Sequence, residues 1–170
     1  LMHSLTYHTA KLRESGLKLP HHTFYVDNIY AYVPLSKMQS IFYIDVNLYH
    51  YYIGREDQSV NLGVFTNRYD QQIRVMKEMI KAYSYADILK FEKGLRKYIL
   101  HCLSAIMIIT IFFTVAKDGE DRRIALSDLW SFIKLRDKEL YRFLRWRSMP
   151  LMVNYLPWRL RGVIMIAIYK

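Results

Sequence analysis

Tyr98–Ala116 spans 19 residues without a formal charge. A run of that length and character has two destinations, the centre of a helical bundle or the hydrocarbon of a bilayer. His101, Ser104, Thr110 and Thr114 dilute its hydrophobicity. Upstream, Ile73, Met76, Ile80 and Tyr83 recur at helical spacing, which predicts an amphipathic helix over about Phe65–Tyr83. Such a helix must lay its apolar stripe on a partner. The pattern therefore favours a buried core helix, with a membrane span as the alternative.

The rest of the chain after residue 62 also reads as helix. A long helix is expected over Asp87–Ala116, kinked near Gly94. Lys117–Arg123 reads as a charged loop, and Ile124–Phe132 and Lys138–Trp146 as shorter helices. Pro150 and Pro157 interrupt the chain, and Pro157 suits the start of a last helix over Trp158–Tyr169. Before residue 62 the signals are mixed. Met2–Tyr7 reads as a short strand, and Lys11–Ser15 as a short helix closed by Gly16. Leu17–Tyr25 is expected to be extended, since Pro20 forbids a helix interior. A helix follows over about Asp27–Tyr32, stopped before Pro34, with Asp27 as its N-cap. Gln39–Ile44 and Leu48–Ile53 read as strands rich in Ile, Phe and Tyr. The expected class is α+β and predominantly α, with a mixed unit over residues 1–62 and a helical unit over residues 63–170.

Composition narrows the function classes. With 52% hydrophobic residues and 15 tyrosines the chain is not a disordered one. Its single cysteine, Cys102, sits in the apolar run; it reads as a buried, inert thiol and fits a reducing compartment. The net charge of +10 is uneven: residues 1–66 are neutral, with five basic and five acidic side chains. Residues 134–170 hold nine basic and two acidic ones, net +7. A basic end attracts an anionic membrane surface or nucleic acid, and the neutral N-terminal third argues against nucleic acid. No signal-peptide pattern opens the chain, and the strand-like start suggests a piece of a longer protein.

Three groups of residues carry candidate chemistry. Asp27 lies among Phe24, Tyr25, Tyr30 and Tyr32. A carboxylate shielded by rings and within reach of a hydroxyl can serve as a general base, and Tyr25 and Tyr30 can give a sugar ring a surface to stack on. A plain helix cap is the competing reading of Asp27. Gly54 and Arg55, followed by Gln58 and Ser59, form a polar loop in which the guanidinium suits a diphosphate; a surface loop is the alternative. Arg142, Arg145, Trp146, Arg147 and Trp158 interleave cations with rings, as at a membrane interface, though a solvated face with core tryptophans has the same composition. His21 and His22 point to opposite faces of an extended chain and do not suggest a metal site. No zinc spacing, Gly-rich phosphate loop, G-x-S-x-G or H-E-x-x-H occurs.

In combination these pieces resemble a known family. Met2–Thr9, Leu12, Phe24-Tyr25-Val26-Asp27, Pro34-Leu35 and Leu48-Tyr49-His50-Tyr51-Tyr52-Ile53-Gly54-Arg55-x-x-Gln58-Ser59-Val60 are similar in order and spacing to the second half of bacterial family 2 glycosyltransferases. The stronger likeness covers residues 1–62; the helical tail is similar to a variable C-terminal extension of some members. The resemblance implies the acceptor-side end of a GT-A fold and an inverting transfer from a nucleotide-diphosphate sugar to a saccharide or lipid-linked acceptor. It places Asp27 as catalytic base, Tyr25 and Tyr30 at the acceptor, and Arg55, Gln58 and Ser59 at the donor diphosphate. Val26 stands where the family often has a second acid. The donor-binding strand and the metal-binding Asp-x-Asp motif of the family fall N-terminal to this sequence. No cofactor is therefore expected in this piece, a divalent Mg or Mn is expected in the full-length enzyme, and the piece alone is expected to be inactive. A cytoplasmic location, docked at the inner face of the plasma membrane, is implied. A non-enzymatic membrane-surface or assembly module of helices is the alternative.

Overall fold

A computed structural model describes residues 2–50, 52 and 62–169. Among these, the secondary structure is helical, and no strand occurs. The order is α1 (Thr9–Glu14), α2 (Asp27–Tyr32), α3 (Leu62–Thr66), α4 (Tyr69–Ala82) and α5 (Tyr85–Lys90). There follow α6 (Lys93–Val115), α7 (Glu120–Arg136), α8 (Lys138–Trp146), α9 (Pro150–Asn154) and α10 (Trp158–Tyr169).

The uncharged run becomes α6, and α6 is the axis of the bundle: α3, α4, α5 and α7 through α10 all pack on it. Ile99, Leu103, Met107 and Ile111 are fully buried along it. Each such side chain stabilises the fold by about 1.5–3 kcal/mol relative to exposure. The buried polar residues of the run are satisfied locally. The hydroxyls of Ser104, Thr110 and Thr114 donate to the carbonyls of Leu100, Ile106 and Thr110 at 2.8, 2.7 and 2.7 Å. Gln72 of α4, also buried, donates through Nε2 to the Thr110 hydroxyl at 3.2 Å. By length and composition α6 is the one helix among the described residues that could cross a membrane, yet 61% of its most apolar window is buried against neighbouring helices. Its outer stripe carries Tyr98, His101 and Ile109.

Side-chain caps place two of the helix starts. The Ser84 hydroxyl accepts from Asp87 N–H at 3.1 Å and starts α5. Asp137 accepts from Glu139 and Leu140 N–H at 3.0 and 2.9 Å to start α8, and its second oxygen accepts from Tyr85 N–H of α5 at 2.7 Å. One carboxylate thus ties two helices. The long helix expected over Asp87–Ala116 breaks at Phe91 and Glu92 rather than at Gly94, because Phe91 is extended and sets its ring edge-on to Tyr83 at 5.5 Å. α7 begins at Glu120, so the charged loop expected to Arg123 ends sooner; Glu120 and Asp121 suit the positive end of a helix.

The N-terminal part departs most from expectation. Met2–Tyr7, expected as a strand, holds a short 3-10 turn over Met2–Ser4, and the Tyr7 hydroxyl then donates to the Tyr30 carbonyl at 3.1 Å. Gly16 does close α1, at φ +66°. The two expected strands do not form where described: residues 38–50 are irregular. A strand exists only by pairing its backbone groups. The described backbone bonds within this stretch are local, Val46 N–H to the Ile44 carbonyl and Leu48 N–H to the Val46 carbonyl at 3.0 and 2.9 Å. α2 has the expected bounds, but Val26 occupies the cap position and no side chain caps it, which corrects the N-cap reading of Asp27. α2 docks through buried Ile29 and Tyr32. The Tyr83 hydroxyl donates to the Val33 carbonyl at 2.5 Å and accepts from Ser36 N–H at 3.2 Å, which locks the turn after α2 to α4.

Candidate functional site

The first region surrounds Asp27. Its carboxylate is half-buried at the first turn of α2 and makes no capping bond. Just before it, Tyr25 sits at φ +66°, a left-handed conformation that a bulky side chain rarely adopts. Asn28 holds that geometry, donating from N–H and from Nδ2 to the Tyr25 carbonyl at 3.2 and 3.0 Å. The Tyr25 ring meets Phe113 of α6 edge-on at 5.2 Å. Burial, with the Asp27 charge behind it, pushes the Tyr25 phenol up, while the Arg68 guanidinium pulls the other way.

Arg68 is the residue the sequence did not point to. It precedes α4, lies 3.5 Å above the Phe24 ring, and has Nη1 buried without a hydrogen-bond partner. Gln71 Oε1 accepts from Phe24 N–H at 2.9 Å, and Arg74 donates to the Thr23 hydroxyl at 3.1 Å. The first turns of α4 therefore hold the Thr23–Asp27 segment in place. Tyr25 and Tyr30 pack on different elements: Tyr25 on α6, Tyr30 edge-on to Tyr7 at 5.1 Å with its hydroxyl toward the Leu5 carbonyl at 3.4 Å. Arg55, Gln58 and Ser59 lie outside the described residues. Among the described residues no cluster of three or more metal-ligating side chains occurs.

The second region is a cleft of about 360 Å³ among α7, α8 and α10. Arg123, Trp130 and Lys134 line it from α7, with Leu126, Ser127 and Ser131 between them. Tyr141 and Arg145 face it from α8, Trp158 and Arg161 from α10. The helical repeat of α7 puts residues three and four apart on one face, so 123, 126/127, 130/131 and 134 form a single wall. No carboxylate is among the described lining residues. Asp118 closes one edge, accepting from Trp158 Nε1 and from Arg123 at 2.8 Å each. These two donors hold the Asp118 carboxyl below its usual value.

Trp130 is 8% exposed and its Nε1 is buried without a partner, as are the Nε atoms of Arg123 and Arg145. Arg145 lies between two rings, 5.0 Å from Trp130 and 5.5 Å from Trp146. Arg161 donates to the carbonyls of Leu156 and Asn154 at 2.7 and 2.8 Å. Burial, followed by the Arg145 charge, pulls Arg161 below its ordinary value. Of the five residues expected at a membrane surface, Arg145 and Trp158 enter this cleft, and Trp146 borders it through Arg145. Arg142 and Arg147 are exposed, and Arg142 pairs with Glu139 one helical turn away.

No protein-family model, curated protein or solved structure matches this chain.

Proposed function

We propose that this chain is the acceptor-side end of a family 2 glycosyltransferase together with that enzyme's C-terminal helical unit, serving cell-surface or secreted polysaccharide synthesis. The observation that carries the reading is the bare segment after α2. Ile41, Phe42 and Tyr43 are 85%, 87% and 80% exposed, and Leu48 is 78% exposed. Folded proteins rarely leave so long an apolar stretch in water unless something covers it. A strand belonging to a sheet built mostly from other chain would look like this. In this reading the remaining strands of the GT-A sheet, the Asp-x-Asp motif and its Mg or Mn belong to the donor-binding half.

Asp27 would take the proton from the acceptor hydroxyl. Its half-buried, uncapped carboxylate and the strained Tyr25 before it support that role, since backbone strain concentrates where a side chain must be aimed. Arg68, above Phe24 and acting on the Tyr25 phenol, would lend positive charge to the same segment. Arg55, Gln58 and Ser59 keep the donor-diphosphate role implied by the resemblance. The protein would work in the cytoplasm at the inner face of the plasma membrane, on a nucleotide-sugar donor and a saccharide or lipid-linked acceptor.

In the intact enzyme, Asp27→Asn abolishes transfer and leaves the circular dichroism spectrum and melting temperature unchanged. Substantial residual transfer removes Asp27 from the base role. On this reading an intact enzyme would carry an Asp-x-Asp motif N-terminal to Leu1; a full-length reading frame without one sinks the family assignment.

A second reading, a non-enzymatic helical module at an anionic membrane, is favoured by the +7 of residues 134–170 and by Trp146, 48% exposed beside Arg147. It predicts salt-sensitive liposome co-sedimentation that is lost when Arg142 and Arg147 become Glu.

A further inference from the structure

The cleft among α7, α8 and α10 has no role in the enzymatic reading and does not depend on it. We infer that it is a binding site for a phosphate-ester group, with Lys134, Arg145 and Arg161 as the cationic ligands and Trp130, Tyr141 and Trp158 as the walls. Three observations carry this. The volume, about 360 Å³, is in the range of small-ligand sites. Four cations line it, and the Asp118 carboxylate at its edge is already held by Arg123 and Trp158. That leaves the charge of Lys134, Arg145 and Arg161 without an acidic partner among the described lining residues.

The third observation is the set of unmatched donors. Trp130, more than nine-tenths buried, presents an indole N–H with no acceptor, and Arg145 Nε has none either. Buried donors without acceptors are costly, and an acceptor-rich group whose entry shifts the lining side chains enough to reach them would relieve both. A phosphate ester supplies several acceptor oxygens and a negative charge at once. Its attached group would rest on the indole and phenol faces. Arg161 donates through Nε and Nη2 to Leu156 and Asn154, and Arg145 through Nη1 to Asn154 Oδ1 at 3.2 Å, so the two guanidiniums contribute mainly field and the exposed Lys134 contributes the direct contact.

The ligand chemistry has two sources, a soluble phosphate ester or a lipid headgroup, and one experiment separates them. All three tryptophans of the chain lie in or beside the cleft, so intrinsic fluorescence reports its occupancy. The chain is titrated with pyrophosphate, with phosphatidylcholine vesicles containing phosphatidic acid, and with phosphatidylcholine alone. A saturable change with pyrophosphate indicates a soluble ester; a change with the phosphatidic acid vesicles alone indicates a headgroup. Lys134→Glu weakens either response about tenfold, as expected for reversing one charge at a half-solvated site. Lys134 is exposed and holds no buried bond, so this variant keeps its melting temperature. Absence of a saturable change with both probes, an equal response to phosphatidylcholine alone, or an unaltered affinity in Lys134→Glu overturns the assignment.

Discussion

The guanidinium of Arg122 donates to the carbonyl of Thr66 at 2.6 Å, across the gap between α7 and the end of α3. The same side chain donates to the Phe113 carbonyl at 3.2 Å, near the end of α6, and lies 4.2 Å from the centre of the Tyr69 ring. Arg122 is 7% exposed, and the negative ends of two helices stand in for a counter-ion. Tyr69 in turn donates to Asp121 at 2.8 Å, which lowers that carboxyl and raises the phenol. Arg122→Ala removes a buried charged donor from both helix ends. The expected loss is about 2–4 kcal/mol, read as a lower urea midpoint at unchanged slope. Arg122→Lys, with fewer donors, recovers only part of it.

Gly162 sits where α10 crosses the end of α6. A Cβ built there falls 2.5 Å from the Val115 carbonyl oxygen, a backbone atom that cannot rotate away. Gly162→Ala therefore forces α10 off α6, at a cost of about 1–3 kcal/mol despite the gain in helix propensity. Limited proteolysis should show faster cleavage in the α9–α10 connection than in the parent chain.

Asp137 links α8 to α5 through one carboxylate. Asp137→Ala strips the cap from α8 and removes the acceptor of Tyr85 N–H, while Ser84 still caps α5; the expected loss is about 1–2 kcal/mol. Asp137→Asn, which keeps an acceptor oxygen, should lie between the two. Thermal melts of the three proteins check the order.

Alkali should unfold the chain through its buried acids. Burial pushes the Cys102 thiol from 9.0 to about 11. Burial, helped by neighbouring phenols, pushes Tyr7 to about 12 from 10.0, and raises Tyr32 well above its usual value. A group whose proton is held more tightly in the folded state adds stability that is complete below its unfolded pKa and fades as pH rises through the folded one. Stability should therefore be level up to about pH 9 and fall between about pH 9 and 12. A denaturation midpoint that rises over that interval contradicts the burial of these groups. Iodoacetamide should label Cys102 slowly at pH 8 and quickly once the chain is unfolded.

Local punctuation made part of the fold legible. α2, α8 and α10 have the bounds their residues suggest: α2 ends where Pro34 approaches, Asp137 caps α8, and Pro157 opens α10. That Tyr98–Ala116 forms a helix on which its neighbours pack was legible because its flanks were amphipathic. The strands were not, since the period of Ile41–Ile44 reports a preference, whereas pairing requires another segment. Arg68 escaped notice because what it touches, Phe24, lies more than 40 residues away in sequence. The cleft escaped for the same reason: Arg123, Arg145 and Arg161 are evenly spread along the chain and meet only after three helices pack. Trp158 and Arg145 did stand out, as rings and cations side by side.

The stretch from Ile41 to Leu48 has β-branched and aromatic side chains and no proline. With Ile41, Phe42, Tyr43 and Leu48 exposed, it is a template for another copy to dock on, strand against strand, as in a fibril. A cell making this polypeptide without a cover for that stretch would engage its chaperones there first. Purified stocks should cloud on concentration sooner than a chain of this charge otherwise would, and replacing Phe42 with Lys should keep them clear.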